Sequence, residues 1–319
     1  MLKEERFKEY IKTEYDIDHV GIAAVDALSA EPYGHRPEDV LPGAKSIIVL
    51  CRSIADGVIQ ARFRSLEGNV PSAYSSYASF GNNNAANFLL VDVVYNLAND
   101  IEKFFDAVAA PLPFNVMQSM VPENVIGPLW NDPYGQGMPI DIYKAAFAAG
   151  LGEFGFSGRF MTPEDGPRIL LAAVLTTAEL ETDSPYTGPK LCDPKNCEIC
   201  RKLCPTQAIR EQTKTIRAGA ASCEVSDLQI NSCIIAEMGM RSEFRGIAPG
   251  PDLIEGNDAT DEELKAALAK KPYDPPHIEH YPRHLCDRCL LYCPAGNWKE
   301  RFYDTGLSRF NPDTGEFDN

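Results

Sequence analysis

Hydrophobic and polar positions along the chain alternate between two periods. Residues 1–13 read as a charged helix, and His19-Val20-Gly21-Ile22-Ala23-Ala24-Val25 reads as a short buried strand. Leu41-Pro42-Gly43 makes a turn before Ser46-Ile47-Ile48-Val49-Leu50-Cys51, whose β-branched run predicts a second buried strand with Cys51 as a small hydrophobe. The Ser-, Tyr-, Gly- and Asn-rich stretch Asn69–Asn84 predicts a loop, with Tyr74 and Tyr77 lining a pocket. From Ala85 to Ala109 apolar residues recur at helical spacing, predicting a long, largely buried helix. Pro111–Tyr134 holds five prolines and little periodicity, which predicts an irregular segment. Pro139–Ala149 reads as a helix that closes at Gly150, and Arg168–Thr177 as a strand covered on both faces. Beyond it, Pro249–Pro282 is an acidic, Pro-rich spacer, inside which Thr260-Asp261-Glu262-Glu263 opens a short helix to about Lys270. Interleaved strands and helices predict an α/β or α+β body.

Composition sharpens the picture. The 319 residues are 44% hydrophobic, enough for one large core or two modest ones, and contain no repeat of solenoid period. With 46 acidic and 30 basic residues the net charge is −16, which disfavours a polyanionic backbone or an anionic membrane as partner. The strongest apolar runs, such as Ile169–Val174, fall far short of the roughly 18 residues a transmembrane helix needs. The charged start has no apolar signal core and no twin arginine, so a cytoplasmic location is expected.

Ten cysteines dominate the chemistry, and nine lie beyond residue 191. In a long cytosolic chain that density points to metal or redox chemistry more than to disulfides. Cys192, Cys197, Cys200, Cys204 and Pro205 spell C-x4-C-x2-C-x3-C-P; Cys286, Cys289, Cys293 and Pro294 spell C-x2-C-x3-C-P. Both keep the end of the two-cluster ferredoxin run, in which three thiolates wrap one cubane and the fourth crosses to its neighbour. Two such endings favour iron and sulfide over structural zinc. The crossover rule gives one cluster Cys192, Cys197, Cys200 and Cys293, and the other Cys204, Cys286, Cys289 and one of Cys223 or Cys233. Cys192 departs from the pattern by two extra residues. His277, His280 and His284 sit near the second motif, but Pro275, Pro276 and Pro282 argue against a regular helix there, and a solvated loop is expected.

The order of motifs resembles epoxyqueuosine reductases and reductive dehalogenases from about residue 15 to 298. The resemblance is carried by His19–Ala24, Leu41-Pro42-Gly43-Ala44-Lys45-Ser46, Ala149-Gly150-Leu151-Gly152-Glu153-Phe154-Gly155, Gly166-Pro167-Arg168, Cys192–Ile209 and Cys286–Pro294. It implies a nitroreductase-like, corrinoid-binding domain over residues 1–185. A ferredoxin-like domain with two 4Fe-4S clusters would follow over residues 186–319, its insertion around 249–282. It also implies base-off cobalamin, bound without the D-x-H-x-x-G motif, and Cys233 rather than Cys223 as the eighth ligand. For the corrinoid it offers Tyr77, Ser157, Gly158, Arg168 and Leu170, with Arg159 or Arg168 suited to pair with a corrinoid side chain or phosphate.

Departures from the family matter as much. The family's catalytic aspartate aligns with Gln136, which cannot donate a proton at neutral pH. Tyr134, Tyr143 and Asp141 are the substitutes, with Lys144 nearby; Tyr134 is preferred because dehalogenases use a tyrosine as acid. The sequence ends about 25 residues after the last cysteine, leaving no room for the helical-repeat domain by which epoxyqueuosine reductase holds transfer RNA. The expectation is a corrinoid-dependent iron-sulfur reductase fed by an external low-potential donor of ferredoxin or flavodoxin type. Its substrate would be a small molecule, with neither nucleic acid nor membrane as partner. The rivals are a two-cluster electron carrier without its own substrate and a flavin-dependent reductase.

Overall fold

A computed structural model describes residues 4–68, 70–112, 140–244, 251–269 and 286–318. The chain begins with helix α1 (Glu4–Tyr15), strand β1 (His19–Ala24), the single turn α2 (Pro37–Val40) and strand β2 (Ser46–Ser53). Three helices follow, α3 (Asp56–Glu67), α4 (Pro71–Phe80) and α5 (Asn82–Phe105), and then β3 (Ala109–Leu112). Next come α6 (Ile142–Ala148), the small hairpin β4 (Glu153–Phe154) and β5 (Phe160–Met161), and β6 (Ile169–Thr176). The remainder holds α7 (Ile199–Lys202), hairpin β7 (Thr213–Ala218) and β8 (Ala221–Ser226), α8 (Ile230–Glu237), α9 (Asp261–Ala269) and α10 (Arg288–Leu291).

The central sheet runs in the order β1-β2-β6-β3 and is antiparallel throughout. Every residue of β6 is buried, because the sheet is covered on both sides and neither set of alternating side chains reaches water. Leu170, Ala172 and Val174 pack toward α1, α3, α4 and α5. Ile169, Leu171, Ala173 and Leu175 pack toward α6 and the hairpin β7–β8. The first of these cores also takes in Leu290, Leu291, Tyr292, Trp298, Phe302 and Phe310, so the cysteine-rich end shares its apolar interior with the body. Phe63 of α3 is the meeting point, 5.3 Å from Tyr292, 5.9 Å from Trp298 and 5.5 Å from Phe302. A third, smaller cluster joins α8 to α9 through Ile234, Ile235, Leu264 and Ala267.

Most predicted elements are present with shifted ends. Two predictions change. Asn69–Asn84 is helical over α4 and the start of α5, not a loop: Pro71 pre-sets the first turn and Tyr77 gains burial, which together outweigh the weak helix preference of Ser, Tyr and Asn. The long helix stops at Phe105, where Asp106 turns left-handed (φ +50°), and Ala109 already belongs to β3. Gly150 does close α6 at φ +70°, where a side chain would strike the Ser184 carbonyl. Thr260 and Glu263 form the expected capping box, with Glu263 Oε2 accepting from Thr260 N at 2.8 Å and Thr260 Oγ1 accepting from Glu263 N at 3.2 Å. The irregular segment predicted at 111–134 and the histidines at 277, 280 and 284 lie almost wholly outside the described residues. Among the described residues no helix is long and apolar enough to cross a membrane.

One polar network ties the start of β1 to the C-terminal region. Asp165 accepts from Ser53 Oγ (2.8 Å) and Arg301 (3.0 Å), and lies beside His19 Nε2 (3.9 Å), with Glu164 at 3.7 Å. Asp165 and then Glu164 hold the half-buried imidazolium of His19 above its usual pKa of 6.5. A raised folded pKa contributes stability that is complete below about pH 6.5 and fades as pH climbs through the folded value. The His19→Gln variant should therefore lose less stability than the wild type between about pH 6.5 and 8 in parallel thermal melts, and equal slopes would remove His19 from the network.

Candidate functional site

Three stretches of chain bring thiols together. The loop Cys192–Cys204 carries four, α7 supplying Cys200; the middle of α8 carries Cys233; the turn around α10 carries Cys286, Cys289 and Cys293. Cys293 lies within electrostatic reach of Cys192 and Cys197, and Cys200 faces Cys293, Cys192 and Cys197. Cys286 reaches Cys289 and Cys204, and Cys233 reaches Cys286 and Cys289. The final cysteine of each motif thus sits among the cysteines of the other. The two sets also approach each other, through Cys200 and Cys289. Cys223, on β8, meets the Phe154 backbone, Glu153 and Lys190 instead of a thiol, and Cys51 is sealed inside β2.

Burial is the dominant influence on these sulfurs. It pushes Cys286 up to about 12 and Cys293 up to about 11, and raises Cys192, Cys200, Cys233 and Cys289. Opposing it are hydrogen bonds aimed at sulfur: Phe156 N donates to Cys192 Sγ at 3.3 Å and Ala208 N to Cys204 Sγ at 3.2 Å. The Arg159 guanidinium bonds Cys289, while the Arg288 and Ala295 backbones serve Cys286 and Cys293. Such donors favour the thiolate, the form that binds iron. Among the described residues no three His, Cys, Asp or Glu groups converge closely enough to hold a single metal ion.

The hairpin β4–β5 is the platform between the two sets, a role that its sequence did not signal. Glu153 accepts from Leu191 N (2.6 Å) and Cys192 N (3.2 Å), Phe156 and Arg159 donate to thiols, and Met161 Sδ lies 3.7 Å from Cys293 Sγ. Ser157 and Gly158, expected to meet a corrinoid, form its tight turn, with Gly158 at φ +77° donating to Gly155 O at 2.8 Å.

Arg168 also turns toward the cysteines. Fully buried at the head of β6, it donates to the carbonyls of Cys293 (2.9 Å), Leu290 (3.4 Å) and Ala295, and lies over the Phe302 ring. Burial presses its pKa down to about 10, opposed chiefly by the negative charge of Cys293 as thiolate. Its two terminal nitrogens serve the second cysteine loop, while Nε lies buried without a hydrogen-bond partner among the described residues. Leu170 lies inside the apolar core. Tyr77 is buried, its ring 5.6 Å from the Arg62 guanidinium; burial and then Asp287 raise its pKa, although its hydroxyl closes no well-formed hydrogen bond.

Of the expected proton donors, Tyr134 lies outside the described residues. Asp141 is fully buried as the N-cap of α6, accepting from Lys144 N at 3.1 Å, a structural duty that sets it apart from a free acid. Lys144 is paired with Glu31 at 2.6 Å. Tyr143 is half-buried beside Arg159; burial raises its pKa and Arg159 pulls it back, leaving it raised overall, so the hydroxyl keeps its proton at neutral pH.

No family model matches the chain. Tetrachloroethene reductive dehalogenase of Desulfitobacterium hafniense is 36% identical over 97 residues, 30% of this chain and 17% of that protein. Epoxyqueuosine reductase of Synechococcus sp. (strain RCC307) is 43% identical over 63 residues, 20% of this chain and 18% of that protein. The chain's homologues are reductive dehalogenases and epoxyqueuosine reductases. It spans less than a fifth of the length of these curated reductases. Among solved structures, epoxyqueuosine reductase from Streptococcus thermophilus aligns over 92% of this chain and 66% of that one, at 15% identity and a TM-score of 0.48.

Arg168→Ala would strand the carbonyls of Leu290, Cys293 and Ala295 in the interior. An unsatisfied buried group costs about 1–3 kcal/mol, so the variant should lose on the order of 3 kcal/mol or more in denaturant unfolding. A loss under about 0.5 kcal/mol, the scale of a neutral surface substitution, would show that the clamp does not hold the loop.

Proposed function

We propose that the chain is a corrinoid-dependent iron-sulfur reductase that cleaves a carbon to oxygen, halogen or sulfur bond in a small molecule. The observation that carries this reading is the approach of each motif's final cysteine to the other motif, Cys293 within electrostatic reach of Cys192, Cys197 and Cys200, and Cys204 within reach of Cys286 and Cys289, which Cys233 also reaches. It is the arrangement that two adjacent cubanes require. Hydrogen-bond donors aimed at the sulfurs suit iron-bound thiolates, so the residues present fit the clusters. For the corrinoid, support comes from the homologues, whose families use cobalamin together with 4Fe-4S clusters. When bound, the clusters carry single electrons and the corrinoid supplies the reducing metal centre.

This chain's residues would then do the following. Residues 186–319 act as the ferredoxin-like, cluster-holding part, and residues 1–185 as the nitroreductase-like, corrinoid-binding part. Arg159 bonds Cys289 and lies within electrostatic reach of Tyr143, which supports the Cys204, Cys233, Cys286 and Cys289 set as the one nearer the reacting centre. Tyr143, held protonated, gives its phenolic proton to the leaving or reduced atom, with Tyr134 as the second donor. An external protein of ferredoxin or flavodoxin type supplies low-potential electrons. A net charge of −16 disfavours nucleic acid as a substrate in this reading, and no membrane partner is invoked.

Anaerobic purification with hydroxocobalamin, followed by iron, sulfide and cobalt analysis and EPR, tests the whole reading. About eight irons and one cobalt per chain support it, since each cubane holds four irons; eight irons without cobalt would leave an electron carrier or a flavoenzyme, and zinc in place of iron would overturn it. Within that preparation Cys233→Ser should lose about half of the iron while Cys223→Ser keeps it, and the reverse pattern would exchange their roles. Tyr143→Phe should slow turnover by about 10²-fold or more with iron and cobalt unchanged, an effect of the size expected from loss of a general acid; unaltered turnover would leave proton donation to Tyr134.

A further inference from the structure

Between two of the cysteines in the second motif stands a buried carboxylate. Asp287, in Cys286-Asp287-Arg288-Cys289, is fully buried, and so is its partner Arg62 from α3 (4% exposed). Arg62 Nε donates to Oδ1 at 3.1 Å and to Oδ2 at 3.3 Å. The guanidinium carbon lies 4.9 Å from the Tyr74 ring centroid and 5.6 Å from that of Tyr77, both on α4, so two aromatic faces hold the cation in place and keep water away. A buried ion pair is weak evidence for stability, because desolvation offsets most of the attraction, and apolar residues of similar volume often do as well. Its position, two helices of the body reaching into the loop between two ligand cysteines, points to another use.

We propose that Arg62 is a positioning residue that neutralises Asp287 and thereby sets the reduction potential of the cluster held by Cys286 and Cys289. The inference rests on the iron-sulfur reading above. Reducing a cubane adds one negative charge, and a bare carboxylate in the ligand loop would oppose it strongly in a poorly screened interior. Cluster potential depends on net local charge, on hydrogen bonds to sulfur and on solvent exposure. Arg62 removes the first of these penalties through Asp287, whereas Arg159 acts through Cys289 directly. The second set of thiols is thereby more readily reduced than it would be beside an unpaired Asp287.

The test is a redox titration followed by EPR on the full-length protein purified without oxygen, with iron counted in every sample. Arg62→Met should lower the midpoint of one cluster so that its reduced-to-oxidised ratio at fixed potential falls about tenfold, equivalent to about 59 mV for a one-electron couple. The other cluster should stay unmoved. Asp287→Asn should shift the same cluster the opposite way, the double variant Arg62→Met with Asp287→Asn should return it toward the wild type, and Arg62→Lys should hold it there. A merely structural Arg62 would instead leave the double variant as impaired as the single one. Should Arg62→Met lose iron, Asp287→Asn and the double variant decide the matter. Eight irons with an unshifted Asp287→Asn, or equal shifts in both clusters, would overturn this inference alone, whereas a wild type without iron would bring down the proposed function as well.

Discussion

Everything about the cysteine-rich end depends on a buried cation that belongs to the body. Arg168 leaves the head of β6 and donates to the carbonyls of Leu290, Cys293 and Ala295, in the turn that follows α10. A short helix ends with unpaired carbonyls, and this one ends away from water. The strand answers that need with a guanidinium, and the close approach is confirmed next door, where Gly296 at φ +75° lies against the Asp165 backbone with no room for a side chain. The loop that carries three thiols is thus cast against the central sheet, not appended to it.

Packing and electrostatics act there in the same direction. Phe63, Arg62 and Glu67 all lie on α3: the first meets Tyr292, Trp298 and Phe302, the second meets Asp287, and the third accepts from Tyr292 Oη and Ser308 Oγ. One helix face therefore delivers an apolar contact, an ion pair and a hydrogen-bond anchor to the second cysteine motif. On the opposite side of the sheet layer, the hairpin β4–β5 brings Glu153, Phe156, Arg159 and Met161 to thiols of both sets. Burial raises the thiols and these donors oppose it, a balance that makes the sulfurs ready for metal but costly to leave empty.

Much was legible in the chain itself. The strands His19–Ala24, Ser46–Ser53 and Ile169–Thr176 announce themselves as continuous apolar runs, since a sheet covered on both faces demands no polar alternation. Thr260 and Glu263 mark a helix start, and Gly150 a helix end, because capping is local chemistry. The endings C-x2-C-x3-C-P marked the two stretches whose cysteines approach each other, Cys293 toward Cys192 and Cys197 and Cys204 toward Cys286.

What escaped the sequence was every feature decided by a distant partner. Helix α4 was hidden by its Ser and Tyr content, because its support is the burial of Tyr77 against elements far along the chain. That Arg168 reaches three carbonyls of the second cysteine loop and that Asp141 caps a helix are facts of tertiary placement that no sequence pattern showed. No spacing rule links Arg62 to Asp287, 225 positions apart. Local propensity and motif spacing determined the elements and the inventory of clustered cysteines; three-dimensional packing alone decided which charges would stand beside the thiols, because Coulomb interaction follows distance in space and is blind to distance in sequence.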